Sequence, residues 1–170
     1  MAKAVTQFIP ARCAVITVSD TRTEANDTSG DFIAEALVNA GHQVVDRKLI
    51  KDEIMQLRHL VERLTQQAID VVIITGGTGI SARDITPEAV RPLFTKDIPG
   101  FGELFRMLSY QDIGTSTIQS RALAGLCNKT LVFCLPGSTG ACRLAMEKII
   151  LEQINSTHRP CNFMTLLNPA

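Results

Sequence analysis

The chain has 170 residues, and seventeen Lys and Arg balance seventeen Asp and Glu to give a formal net charge of zero. No basic run breaks that balance, which argues against a nucleic-acid partner, and no apolar run approaches the ~18 residues of a membrane span. With 45% hydrophobic residues, 5% aromatic and no Trp, one domain over residues 1–170 with an aliphatic core is expected.

Met1 to Pro10 lacks the apolar stretch of a signal peptide. The five cysteines, at 13, 127, 134, 142 and 161, show no CxxC pair and fall largely within apolar runs. Reduced, buried thiols in a cytoplasmic protein are the expectation.

Ala14 to Val18 is a short β-branched run, read as a buried strand that ends at Ser19-Asp20-Thr21. Thr28 or Ser29 is placed to cap a helix whose inner stripe is Ile33, Ala36, Leu37 and Ala40, with Gly41 closing it. Val44 to Ile50, less apolar, suits a strand nearer a sheet edge. Asp52 stands at an N-cap position before Ile54, Leu57, Val61, Leu64 and Ala68, which mark one face of a helix. Val71 to Ile74 is apolar without interruption, as in a parallel strand buried on both faces.

Thr86-Pro87 signals the start of a short helix that Pro92 ends or bends. Phe101, Leu104, Phe105 and Leu108 mark another helix, and residues 114–127 are ambiguous. Leu131 to Leu135 reads as a strand, followed after Pro136-Gly137-Ser138 by a helix with Cys142, Ala145, Met146 and Ile149 inward. The tail beyond Pro160 reads as irregular. Buried strands alternating with amphipathic helices imply an α/β fold, a mostly parallel sheet with helices on both faces.

Ligands of open α/β sheets bind beyond the carboxyl ends of the strands. Three such ends carry polar or glycine-rich loops here, and if the strands are neighbours these loops converge. Thr75-Gly76-Gly77-Thr78-Gly79 offers backbone amides to an anion, or forms a flexible turn. A P-loop is excluded because no lysine lies between Lys51 and Lys96. The dinucleotide fingerprint fits poorly, since the helix signal waits until Thr86-Pro87.

Asp52 and Asp84 are carboxylates able to hold Mg²⁺ together with substrate phosphates, though Asp52 also suits a helix cap and Asp84 an Asx turn. Arg121 could fork onto a phosphate or remain a surface charge. The histidines at 42, 59 and 158 share no metal or nucleophile spacing and are expected on the surface or on helix faces.

Thr75-Gly76-Gly77-Thr78-Gly79 followed by Arg83-Asp84-Ile85-Thr86-Pro87-Glu88-Ala89 resembles the signature of the MogA/MoaB molybdopterin-binding family, which includes the gephyrin G domain. Further matches are Ala14 to Thr21, Ser29-Gly30, Asp52-Glu53, Pro99-Gly100, Ser120-Arg121-Ala122-x-Ala124-Gly125 and Leu135-Pro136-Gly137-Ser138. They run in the family's order from about residue 11 to 153, and the end segments place the chain nearest the MoaB branch. One departure is Thr139 after Ser138, where many of the family's transferases have proline.

The resemblance implies a three-layer α/β/α sandwich, a homotrimer or homohexamer, and a part in molybdenum cofactor biosynthesis. It implies a molybdopterin adenylyltransferase that joins the AMP of ATP to the molybdopterin phosphate with Mg²⁺, or else a non-catalytic molybdopterin carrier. Asp52 and Asp84 then correspond to the catalytic, Mg²⁺-associated aspartates. Residues 75–79 hold pterin or phosphate, Ser120 and Arg121 lie near the pterin phosphate, and Ser19, Asp20, Gly137 and Ser138 line the site.

Overall fold

A computed structural model describes residues 7–167. The strands are β1 (Arg12–Val18), β2 (Gln43–Ile50), β3 (Val71–Thr75), β4 (Lys96–Asp97), β5 (Leu123–Cys127) and β6 (Thr130–Leu135), in the sheet order β2-β1-β3-β6-β5-β4. β2, β1, β3 and β6 are parallel, while β5 and β4 are added antiparallel at one side. The helices are α1 (Thr28–Asn39), α2 (Ile54–Thr65), α3 (Thr86–Val90), α4 (Pro99–Ile113), α5 (Thr139–Ala145), α6 (Leu151–Gln153) and α7 (Met164–Leu167). A π-helical stretch, Met146–Ile150, joins α5 to α6.

The period-two alternation of the strands divides the core into two layers. Cys13, Val15, Ile73 and Phe133 face Ile33 and Leu37 of α1, Phe101 and Phe105 of α4, and Cys142 and Ala145 of α5. Their alternate neighbours Ala14, Ile16, Ile74 and Val132 face Leu57, Val61 and Leu64 of α2 and Ala89 and Val90 of α3. Each fully buried aliphatic side chain of this kind stabilises the fold by about 2 kcal/mol. β3 is buried along its whole length and β2 lies at an edge, as their compositions predict. The three-layer α/β/α arrangement follows. No helix among the described residues is long and apolar enough to cross a membrane.

Several local expectations need correction. Asp27, rather than Thr28 or Ser29, caps α1, accepting from the Gly30 amide at 3.0 Å. Glu53 rather than Asp52 occupies the N-cap position of α2, and no side chain caps that helix. Thr86 is the first residue of α3, after Ile85. The ambiguous 114–127 region divides into a 3-10 turn, Gly114–Gln119, and strand β5.

His42 is buried rather than superficial. Its Nδ1 accepts from the Ala11 amide at 3.1 Å, and its ring packs beside Phe8. Cys13, Cys127, Cys134 and Cys142 are buried free thiols, whereas Cys161 is exposed.

Candidate functional site

The carboxyl ends of β1, β2, β3 and β6 open onto one cleft of about 750 Å³. Its lining includes Ser19 and Asp20 after β1, Asp52 after β2, Thr75 to Gly79 with Arg83 and Asp84 after β3, and Gly137 and Ser138 after β6. Ser120 joins them from the segment before β5, while Phe105, Ser109 and Ile113 of α4 form a partly apolar wall. Of the site residues predicted from sequence, Arg121 alone does not line this cleft.

The glycine loop is held rather than free. Gly76 and Gly77 have φ of +100° and +65°, a left-handed backbone that other residues rarely adopt. The Gly76 amide donates to the Leu135 carbonyl at 2.9 Å, and the buried Thr86 hydroxyl donates to the Gly76 carbonyl at 2.8 Å. The Thr86 amide donates to the Gly77 carbonyl at 2.9 Å, so α3 starts by gripping the loop.

The two aspartates close on this loop. A Cβ added at Gly77 would lie 3.0 Å from Asp52 Oδ1, and one at Gly79 would lie 2.8 Å from Asp84 Oδ2. Glycine at both positions lets the carboxylates and the backbone share one space.

The Asp52 and Asp84 carboxyls are shifted in opposite directions. Burial pushes the Asp52 carboxyl above its ordinary pKa, the negative charge of Asp20 adds to this, and the Asp20 amide and Arg83 only partly offset it. Burial also acts to raise Asp84, but hydrogen bonds from Ser81 (its amide to Oδ2 at 2.8 Å) and the Gly79 amide outweigh it and hold that carboxyl below the ordinary value. Oppositely shifted carboxyls in one cleft are typical of sites that handle charge. Asp84 closes the Ser81–Asp84 turn from its far end rather than opening an Asx turn.

Asp20 bridges the β1 and β2 loops, its Oδ1 accepting the Asp52 amide at 3.3 Å. The Arg83 guanidinium donates to Asp20 Oδ2 from Nε at 2.8 Å and to the Asp52 carbonyl from Nη2 at 3.2 Å. That hydrogen bond from Arg83 holds the Asp20 carboxyl below its usual range.

Arg121 lies behind the glycine loop. Its Nε donates to the Gly79 carbonyl at 2.7 Å, its Nη2 to the Asp84 carbonyl at 3.1 Å, and its guanidinium pairs with Glu88. It fastens the loop to α3 and is neither a fork aimed into the cleft nor an idle surface charge.

A second cavity of about 710 Å³ lies beyond Ser120 and Arg121, between α3 and α4. Its arginines are committed: Arg106 donates to the Ala122 carbonyl at 2.9 Å, and Arg91 pairs with Asp97 at 3.3 Å.

Sequence reasoning missed a buried polar centre at the back of the cleft. Asp27 accepts from the Thr17 hydroxyl at 2.7 Å and from Arg47 at 3.0 Å, while Arg22 bridges Asp27, Ser29 and the Gly137 carbonyl, the last at 2.8 Å. Ser29 also donates to the Gly137 carbonyl, at 2.8 Å, and Thr139 stands 3.1 Å from Ser29. Threonine at this position therefore ties the β6 loop to α1. The one local signal for the centre was Asp27 three residues before Gly30, the spacing of a capping bond.

A glycine-rich loop and several carboxyls gathered in one cleft at the carboxyl edge of a parallel sheet define a doubly wound α/β protein with a small-molecule-sized site at its strand ends. A family model described as a probable molybdopterin binding domain matches residues 14–156. The chain belongs to this molybdopterin-binding family.

Molybdenum cofactor biosynthesis protein B of Escherichia coli K12 is 50% identical over 164 residues, covering 96% of each chain. A crystal structure of a molybdenum cofactor biosynthesis protein B superposes with a TM-score of 0.83 at 47% identity, covering 86% of this chain and 92% of that one. The tungsten cofactor synthesizing protein MoaB of Pyrococcus furiosus superposes with a TM-score of 0.74 at 38% identity, over 82% and 90%.

Proposed function

We propose that the chain serves molybdenum cofactor biosynthesis as a molybdopterin adenylyltransferase. The pathway assignment follows from its close similarity to the biosynthesis B proteins over nearly their full length. The adenylyl transfer rests on one observation: Asp52 and Asp84 reach the same glycine loop from two different strand ends.

In the proposed reaction, an oxygen of the molybdopterin phosphate attacks the α-phosphorus of ATP. A P–O bond forms, the bond to the β-phosphate oxygen breaks, and pyrophosphate leaves with its electron pair. A phosphate nucleophile is already ionised, so no strong base is needed, and position with electrostatics carries most of the effect. The Gly76 and Gly79 amides are engaged by the Leu135 carbonyl and the Asp84 carboxylate, so the Gly77 and Thr78 amides would hold phosphate oxygens. The wall that includes Phe105 and Ile113 is suited to a flat ring.

The residues fit a divalent cation. Asp52 is half-buried, and partial burial and the neighbouring Asp20 charge both disfavour its ionised form, a condition that a cation relieves. Among the described residues no three acidic, Cys or His side chains converge as a complete ligand set, so substrate phosphates would supply the remaining ligands, as is common for Mg²⁺. Mg²⁺ held by Asp52 and Asp84 would offset charge on the attacked phosphate and on the leaving pyrophosphate.

The test is pyrophosphate release from ATP with molybdopterin present. Asp52→Ala and Asp84→Ala are each expected to lower turnover by about 100-fold or more, in line with removal of one transition-state electrostatic contact. Undiminished rates in both variants reject the reaction. Tight pterin binding by the unaltered chain without pyrophosphate release would identify a non-catalytic carrier instead.

A further inference from the structure

A polyphosphate entering the cleft, as the adenylyl-transfer reading requires, meets a wall already carrying Asp20, Asp52 and Asp84. Among the described residues, the basic side chains in that wall are Arg22 and Arg83. Arg22 is committed, since its guanidinium bridges buried Asp27, Ser29 and the Gly137 carbonyl. Releasing it would leave a buried carboxylate short of a partner, which is costly.

Arg83 is in the opposite situation. Its side chain is 60% exposed, and the carboxylate it pairs with directly, Asp20, stands at the mouth of the cleft with Nη2 to Oδ2 at 2.7 Å. Nε and Nη2 make the bonds to Asp20 and to the Asp52 carbonyl, and Nη1 takes part in neither. An exposed ion pair of this kind contributes little to stability and is easily exchanged. A phosphate offers the same planar fork two charged acceptors, the stronger kind of contact.

We propose that Arg83 is the anion-binding side chain of the cleft, held at rest by Asp20 and handed to a phosphate group of the incoming substrate. Asp20 thus acts as a resting counter-ion that competes with the ligand for one guanidinium. A phosphate bound by Arg83 would sit beside the glycine amides, and Asp20, once released, would face the polar rim next to Asp52.

A purely structural Arg83, strapping the β1, β2 and β3 loops together, makes a different forecast. Breaking a strap from either end loosens the same loops, so changes at Asp20 and at Arg83 should then weaken ligand binding alike. Exchange requires opposite signs, because Asp20 competes with the ligand while Arg83 binds it.

The experiment is calorimetric titration of the full chain with inorganic pyrophosphate, at low ionic strength so that screening does not mask the charges. Arg83→Gln is expected to weaken binding about tenfold, the loss of one charge-assisted contact. Asp20→Asn, which retains an oxygen for the Asp52 amide, is expected to strengthen binding about threefold, the scale of an exposed ion pair. If exchange dominates, the double variant should match Arg83→Gln, whereas direct repulsion of the anion by Asp20, or its charge acting on Asp52, would add independently. Arg83→Lys should fall between Arg83→Gln and the unaltered chain. Thermal unfolding of each variant confirms that the fold persists.

Weaker binding by Asp20→Asn, unchanged binding by Arg83→Gln, independent effects in the double variant, or no pyrophosphate binding by the unaltered chain would overturn the exchange. Opposite signs without adenylyl transfer would remove the proposed reaction and leave the exchange standing. Turnover with same-sign variants would do the reverse.

Discussion

Asp27 has a side chain only 2% exposed, yet it carries a charge and gathers Thr17, Gly30, Arg22 and Arg47 around it. Burial acts to raise its pKa, but the bonds from the Thr17 hydroxyl, the Gly30 amide and Arg47 outweigh it, and the carboxyl titrates below its usual range. A folded pKa below the unfolded value means stability present above the unfolded value of about 4 and lost as pH falls through the folded one. Asp27→Asn should therefore cost about 3 kcal/mol at neutral pH, as expected when one member of a buried charge cluster is neutralised. The difference from the unaltered chain should shrink on acidification below about pH 4, and denaturant titration across pH 3 to 7 measures it.

Asp52 has the reverse sign. Its folded pKa is raised by burial and by the neighbouring charge of Asp20, so its ionisation destabilises the fold as pH rises through the ordinary carboxylate range and beyond. Asp52→Asn is expected to raise the thermal midpoint at pH 7 and to leave it little changed at pH 3, while removing turnover. A midpoint lowered at pH 7 would show that Asp52 is a structural residue. A stabilising change at the proposed catalytic aspartate would be the usual mark of a site where function opposes stability.

At the scale of elements, Arg121 joins two pieces of chain that the sequence leaves apart. Its backbone amide donates to the Thr78 carbonyl at 2.9 Å, and its side chain fastens the Gly79 and Asp84 carbonyls. Arg121→Ala leaves those carbonyls without their donor and should cost about 1–2 kcal/mol. Amide hydrogen exchange should quicken over residues 77–84, and Arg121→Lys should not restore it, since an ammonium cannot span both carbonyls. Exchange unaltered in that segment would show that the loop holds itself.

The strands that place this loop were legible because burial on both faces demands unbroken apolar runs, as in Val71 to Ile74 and Leu131 to Leu135 within β3 and β6. β5 was not. Leu123 to Cys127 has no β-branched residue, and Gly125 is needed because the Phe94 ring lies where a Cβ would stand, at 2.2 Å. A strand chosen for close approach shows no β-propensity to a local reading. The α1 cap was a local misreading, since Asp27 bonds the Gly30 amide three residues on, whereas its burial among partners as distant as Arg47 had no local signal.

For the whole molecule, the converging strand ends were legible from topology alone, since parallel order brings the loops after β1, β3 and β6 to one edge. Which basic residues of the cleft are committed to the fold was not, because Arg22 is held by the Gly137 carbonyl, 115 positions away in sequence.

Legibility also stops at the outer surface of α4 and the turn after it, where Leu104, Met107, Tyr110, Ile113 and Ile118 are exposed, the last at 78%. Single exposed apolar residues are ordinary, but a run of them on one element marks a surface that water covers poorly. The family resemblance implies a trimer or hexamer, and a chain with no net charge opposes self-association only weakly.

A second copy of this chain on the α4 surface would bury these side chains. Ile113 also lines the cleft, so assembly there would border the ligand site. Light scattering coupled to size exclusion should then give a mass three or six times that of one chain. Met107→Glu with Ile118→Asp should reduce it to one, because each new carboxylate would have to be buried without a partner. If the paired substitution leaves the assembly intact, the subunits meet elsewhere, and the α4 surface remains open beside the cleft.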